Sequence, residues 1–386
     1  MYKFEDLIEE VKEFNTDLRY GLDDIVGVTI EKGLIPTIAN LTQTALDKFY
    51  IIKPETFVYN PRTHGVRLGM GYNDTCNTYI TTWNNVAFRV KDIAKNIVIP
   101  QYLWLYFCRP IWDRLTNFLA WGSSTIVFAW KDFLTIEIDL PSITRQREIV
   151  AEYETLTRRI RINEQMIQNL ESTAQTLYRK MFVDGIDKEN LPVGWRMGTL
   201  GEVCEINTDN ISSKEKLEEI KYLDSSSVTE NIFEKYQSLH PCTDEIPSRA
   251  KRKVRCNDIV YSTVRPNLKH FGIIKGNVSN VVVSTAFAVI RSNNINISNE
   301  LLYLLLTENH NTEILQGIAE MSKATYPSIT PENIMDLKIV MPKQINDAFI
   351  DLNRQLKLIF NCISITHIEN KKLTELQSLL LAKMGQ

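Results

Sequence analysis

Residues 141–182 run PSITRQREIVAEYETLTRRIRINEQMIQNLESTAQTLYRKMF, with no proline or glycine after Pro141. Apolar residues follow at alternating spacings of four and three: Ile149, Tyr153, Leu156, Ile160, Ile167, Leu170, Ala174, Leu177 and Met181. Asn163 is the one polar residue on that line. A seam returning every 3.5 residues marks a helix packed lengthwise on another helix. At about 1.5 Å per residue the rod is about 60 Å long, and a rod of that length needs a second rod to cover it.

Residues 342–384, PKQINDAFIDLNRQLKLIFNCISITHIENKKLTELQSLLLAKM, supply the second. Its seam is Phe349, Leu352, Leu356, Ile359 and Ile363, then Leu373, Leu376, Leu380 and Met384, with a polar middle around Thr366 and Asn370. In an antiparallel pair with centres aligned, Asn163 falls near residues 362–366. Two readings stand for these polar positions: a buried contact that fixes the register at some cost in stability, or solvated breaks in two imperfect seams.

The sequence ahead of the first rod returns about 200 residues later. SSTIVFAWKDFLTIEIDLP before the first rod matches ATYPSITPENIMDLKIVMP before the second, each a helical turn, an alternating strand and a proline 201 residues apart. QYLWLYF (101–107) matches ELLYLLL (300–306) as a buried helix. Residues 52–69 match 254–272 as a strand leading into a turn of Pro, Asn and basic residues, and residues 80–90 and 281–291 each read as one strand. The ordered set predicts an internal duplication of α+β class: residues 1–140, the helix 141–182, a linker 183–195 opened by Gly185, residues 196–341, and the helix 342–386. Antiparallel rods relate two such domains by an approximate two-fold axis. Double-stranded DNA has the same symmetry, so both domains can meet one duplex in equivalent orientations while reading different base pairs.

The remaining composition narrows the class. At 386 residues, 44% hydrophobic and 24% charged, the chain has the makeup of a globular protein of two or three domains. The start, MYKFEDLIEEVKEF, has no signal-type apolar run, and no stretch approaches eighteen uninterrupted apolar residues. Cys76, Cys108, Cys204, Cys242, Cys256 and Cys362 are scattered without CxxC spacing, which fits reduced thiols in the cytoplasm and no metal site. Catalytic patterns are missing too. Asn60-Pro61-Arg62 only brushes against a base-methylation motif, Gly69-Met70-Gly71 lacks a third glycine and a following helix, and no phosphate loop occurs. The net charge of −3 requires any nucleic-acid surface to be local or supplemented by partners.

The arrangement resembles the specificity subunit of type I restriction-modification enzymes, in which target-recognition domains alternate with helical regions. IDLPSITRQREIV (138–150) resembles that family's proline-then-Gln-Arg-x-Ile lead into the central helix. LPVGWRMGTLGEV (191–203) resembles the start of its second recognition domain, and 58–66 and 260–272 resemble its DNA-facing strand–turn segments. The second rod departs from the pattern, since PKQINDAFI has no Gln-Arg pair. The resemblance implies a non-catalytic subunit that reads a split, asymmetric DNA site. It implies two adenine methyltransferase subunits using S-adenosylmethionine as partners, and two restriction-translocation subunits driven by ATP and Mg in the full complex.

On that footing the candidate DNA-binding residues are named. Arg249, Lys251, Arg252 and Lys253, in the run RAKRKVR, suit phosphates, or else form a solvated charged face. Arg265, Asn267, Lys269 and His270 lie in the second strand–turn, where Arg and Asn can make two-pronged contacts to guanine and adenine. Arg62, Thr63, His64 and Arg67 hold the equivalent place in the first half. Tyr72 and Asn73, in GMGYND, are either further contacts or an ordinary hairpin turn. Arg158, Arg159 and Arg161 lie on the rod's outer face, open to phosphates, a partner or water. The competing class is a coiled-coil adaptor with two protein-binding domains, which explains the rods and the charge but not the matched basic turns.

Overall fold

A computed structural model describes the chain except residues 38–43, 64–66, 123–125, 213–214, 216, 235, 323–325 and 385–386. It divides into two compact units, Met1–Arg161 with Asn370–Gln386, and Ile162–Glu369. The long helices Ile143–Phe182 and Asp347–Lys383 therefore do not stand apart as bodies of their own: each unit owns a segment of both.

In the first unit a four-stranded antiparallel sheet runs in the order Ile8–Glu10, Val86–Val90, Phe57–Tyr59, Met70–Tyr72. Its packed face is aromatic. Phe57 stacks between Tyr72 (4.6 Å) and Phe88 (5.0 Å), and Phe133 meets Phe88 edge-on at 5.2 Å. The helices Pro100–Phe107 and Pro110–Leu119 cover this face, each opened by a proline whose missing N–H costs nothing at a helix start.

The second unit repeats the plan, with Cys204–Ile206, Phe287–Ser292, Ile259–Ser262 and Phe271–Ile273 in the same order. Helices Asn299–Thr307 and Asn309–Glu320 follow, then the short helix Pro331–Met335, as Trp130–Leu134 does in the first unit. The first strand of each repeat, Tyr2–Lys3 or Trp195–Thr199, pairs with the strand that precedes its long helix. The core chemistry differs in balance: in the second unit Leu301, Leu302, Leu304, Leu305 and Ile334 pack beside rings such as Tyr261, Phe271 and Tyr303, whereas rings dominate the first.

Two glycines mark the same close approach in both repeats. A Cβ on Gly71 would stand 2.5 Å from Leu34 Cδ2, and one on Gly272 would stand 2.6 Å from Phe233 Cζ. In each case the obstructing side chain belongs to a hairpin laid over the sheet's last strand (Val26–Thr29 with Gly33–Pro36, Val228–Thr229 with Ile232–Phe233).

Beyond this shared scaffold the units diverge. The first adds the pair Tyr50–Ile52 and Tyr79–Thr81. The second adds a four-stranded sheet, Gln237–Leu239, Ile220–Leu223, Val281–Ser284, Ala250–Lys253, whose middle pair is parallel. The segments expected as single strands at 80–90 and 281–291 are each broken. Thr82–Asn85 forms a turn closed by Asn85 N–H to Thr82 O at 3.0 Å, and Ser284 and Phe287 lie in different sheets. A strand that changes sheets must bend, and an alternating apolar pattern does not record the bend.

Within each unit the long helices pack antiparallel. In the second, Asn163 lies opposite Glu369 and Phe182 opposite Phe349. In the first, Gln377 Nε2 donates to Thr157 Oγ1 at 2.7 Å. Ile149, Asn163, Ile167, Phe349, Leu352, Leu356 and Ile363 are buried; Tyr153, Leu156, Ile160, Leu170, Ile359, Leu373 and Leu380 are half-buried. Leu376 is a correction: it is 49% exposed, and Leu381, at 9%, turns inward instead. Past Thr366 the inward line passes through Leu373, Gln377 and Leu380, so the seam continues through a glutamine that an apolar count rejects.

In each unit a buried amide ties the start of one long helix to the globular part. Gln146 Oε1 accepts the N–H of Ile99, immediately before the helix Pro100–Phe107, and Gln146 Nε2 donates to Ile97 O and Pro141 O. In the second unit Asn353 Oδ1 accepts the N–H of Ser298, immediately before the helix Asn299–Thr307. Where the second rod lacks the Gln-Arg pair, Asn353 makes the equivalent bond one turn further along.

Candidate nucleic-acid interface

In the first unit Arg62 and Thr63 form a two-residue strand paired with Ile126–Val127. Asn60 Oδ1 accepts the Arg62 N–H at 3.0 Å, an Asx turn that ends the core strand and lifts Arg62 to the surface. Arg62 and Arg67 are exposed. Thr63 points inward and is buried, so it is withdrawn as a contact. His64 lies outside the described residues.

Tyr72 and Asn73 are corrections as well. Tyr72 closes a sheet strand rather than a turn, is sandwiched by Phe57 and Trp104, and has its phenol pKa pushed up by burial. Asn73 is 1% exposed. Its Nδ2 donates to Ile52 O and Asn77 O, and its Oδ1 accepts from Thr75 N–H and Oγ1. All of its capacity is spent on the fold, which leaves the hairpin reading.

In the second unit the basic run enters the strand Ala250–Lys253, and alternation divides it. Arg249 and Lys251 are exposed. Arg252 is half-buried, donates to Asn207 Oδ1 and Phe287 O, and burial pulls its pKa down. Lys253 is paired with Glu215 at 2.5 Å and Arg255 with Asp209 at 2.8 Å. A run that reads as one positive patch is thus half neutralised.

The strand–turn of this unit is tightly set. Arg265 has a left-handed backbone (φ 50), held by its N–H to Pro327 O at 3.0 Å, with Pro266 next. Its guanidinium lies over the ring of Tyr326, 5.1 Å from the centroid. Asn267 is exposed, and its N–H meets Gln316 Oε1 at 3.1 Å. Lys269 is paired with Glu230 at 2.7 Å, and His270 Nδ1–H donates to Val228 O at 2.7 Å. Those last two are occupied by the neighbouring hairpin and are withdrawn as base readers. Thr285 N–H bonds Arg249 O, and Ala286 O accepts Thr263 N–H, so the basic strand and the turn hang from adjacent backbone groups. Arg249, Lys251, Arg265 and Asn267 thereby share one region, the counterpart of Arg62 and Arg67.

The sequence reading missed two exposed aromatics beside these turns, Trp121 and Tyr326, at 65% and 57% exposure. Each precedes the short helix of its repeat, but at the 201-residue register Trp121 falls opposite Ser322 and Tyr326 opposite Thr125, so the duplication does not pair them.

A duplicated architecture is what this fold defines: one scaffold used twice, with different outer strands and exposed cations on each copy. Residues 192–380 match the family model of the type I restriction modification DNA specificity domain. The type I restriction enzyme HindI specificity subunit of Haemophilus influenzae is 28% identical over 162 residues, 41% of this chain and 34% of that protein, so the match spans about a third of the relative's length. The crystal structure of the type I restriction-modification system S subunit from M. genitalium superposes with a TM-score of 0.62 at 14% identity, over 100% of this chain and 95% of that one, which speaks to the fold. By these comparisons residues 192–380 resemble a type I restriction modification DNA specificity domain, and the whole chain shares its fold with that S subunit. No helix among the described residues is long and apolar enough to cross a membrane.

Proposed function

We propose that this chain reads a split, asymmetric DNA site for a type I restriction-modification complex, each unit reading one half and the long helices setting the unread gap. The supporting observation is the repeated sheet and helix plan with divergent outer strands: a shared scaffold presents each copy to the duplex in the same way, while different outer residues read different bases. Arg62 and Arg67 in the first unit, and Arg249, Lys251, Arg265 and Asn267 in the second, carry the contacts. Two adenine methyltransferase subunits dock on the helices and supply S-adenosylmethionine chemistry. In the full complex two restriction-translocation subunits add ATP- and Mg-dependent steps. The assembly works in the cytoplasm.

The test is a genome-wide map of methylated adenine with and without this gene, the methyltransferase partner present. Loss of one split motif is expected, and exchanging residues 1–140 for those of a relative changes one half of the motif only. An unchanged map with an active partner overturns the reading and favours the adaptor.

A further inference from the structure

Val127 lies between two partners. Across one edge it pairs with Arg62, and across the other it exchanges both backbone hydrogen bonds with Trp121, each 3.1 Å. Residues directly opposite on neighbouring strands project from the same face, with strands about 4.8 Å apart. Arg62 and Trp121 therefore rise from one face of a small three-stranded patch, about 10 Å apart. Lys131 lies over the Trp121 ring at 5.6 Å.

The second unit builds the same neighbourhood from different residues. Val264 bridges Ser328, Arg265 N–H bonds Pro327 O, and the Arg265 guanidinium rests on Tyr326. Neither Arg62 nor Arg265 has an acidic partner among the described residues. The second unit likewise places an exposed aromatic here, where burial demands none.

We propose that each unit uses this arginine–aromatic pair, Arg62 with Trp121 and Arg265 with Tyr326, to hold a base unstacked at a kinked step of its half-site. The inference rests on the DNA-reading function above and adds how the reading is done: the ring stacks on the exposed base face and the arginine holds the adjoining base edge or phosphate. Charge selects the occupant, since unneutralised guanidinium groups beside an aromatic suit a polyanion with π faces. A step that opens easily then contributes specificity in addition to direct contacts.

The experiment uses the complete complex with its methyltransferase partner and duplexes carrying the mapped motif. 2-Aminopurine replaces each purine in turn, except the methylated adenine. The wild type is expected to raise fluorescence at one position in each half-site. Trp121→Ala abolishes the rise in the first half only and weakens specific binding roughly 5- to 100-fold, with the salt dependence unchanged. Tyr326→Ala does the same in the second half, and Trp121→Phe keeps the signal. Fluorescence that is flat in the wild type, or that persists in both alanine variants, overturns the proposal. So does loss of the methyltransferase from the Trp121→Ala complex with readout intact, which makes the patch a protein-binding surface. A wild-type complex that does not prefer the mapped duplex to a scrambled one removes the DNA-reading function itself.

Discussion

Gln146 Oε1 accepts the backbone N–H of Ile99 at 3.0 Å, and the side chain is fully buried. Its Nε2 satisfies two carbonyls, Ile97 O at 2.8 Å and Pro141 O at 2.9 Å. Gln146→Leu keeps the volume and strands three backbone groups. A loss of about 2–4 kcal/mol is expected, because each buried unpaired group costs about 1–3 kcal/mol and partial hydration recovers some of it. Denaturant unfolding measures it, with exposed Arg147→Ala as the control, expected within about 0.5 kcal/mol of wild type.

Gly71→Ala and Gly272→Ala are expected to destabilise by about 1–3 kcal/mol each, the usual range for overpacking. The Cβ meets Leu34 in the first case and Phe233 in the second. Leu34→Ala in the Gly71→Ala background restores part of the loss, and leaves the Gly272→Ala defect untouched. Thermal unfolding of the four variants decides it.

Burial pushes the Cys204 thiol from its ordinary value of 9.0 up to about 12. Between those values the unfolded chain has released the proton and the folded one has kept it, so stability is full below pH 9 and falls as pH rises toward 12. Tyr261, pushed by burial from 10.0 to about 12, acts in the same direction over its own window. Cys204→Ala is expected to flatten the alkaline slope by about one proton, or about 1.4 kcal/mol per pH unit. Unfolding at pH 8, 9.5 and 11 measures the slope. A thiol reagent at neutral pH should label exposed Cys76, Cys242, Cys256 and Cys362 in the native protein and leave Cys204 unlabelled until unfolding.

Salt titration of DNA binding separates the two kinds of cation in the basic run. Arg249→Ala and Lys251→Ala, both exposed, are each expected to reduce the slope of log affinity against log salt by about 0.9. Lys253→Ala and Lys269→Ala, already paired with Glu215 and Glu230, are expected to change it by much less.

The long helices were legible because a seam is periodic and local, and they form at Ile143–Phe182 and Asp347–Lys383. The duplication was legible for a similar reason: Tyr59 and Tyr261, or Ile138 and Ile339, are buried in matching strands about 201 residues apart. What resisted reading depends on partners remote in sequence. Arg252 is drawn inward by Asn207 and Phe287, Asn73 by Ile52, and Lys269 outward to Glu230. None of those partners is signalled by the residue's own neighbours. The outer strands were missed because they are short, differ between the repeats and give the duplication nothing to match.

Residues Asn370–Gln386 belong to the first unit, where Leu381 is buried alongside Ile149 and Val150. On the ribosome that strip of helix emerges more than 200 residues after Arg161. At about 5–20 residues per second the nascent first half waits roughly 10–40 s with Ile149 and Val150 uncovered. A truncated message ending before Asn370 would release a chain whose first half is permanently missing a packing layer and open to chaperones and proteases. The first unit is thus finished only by a segment made more than 200 residues later.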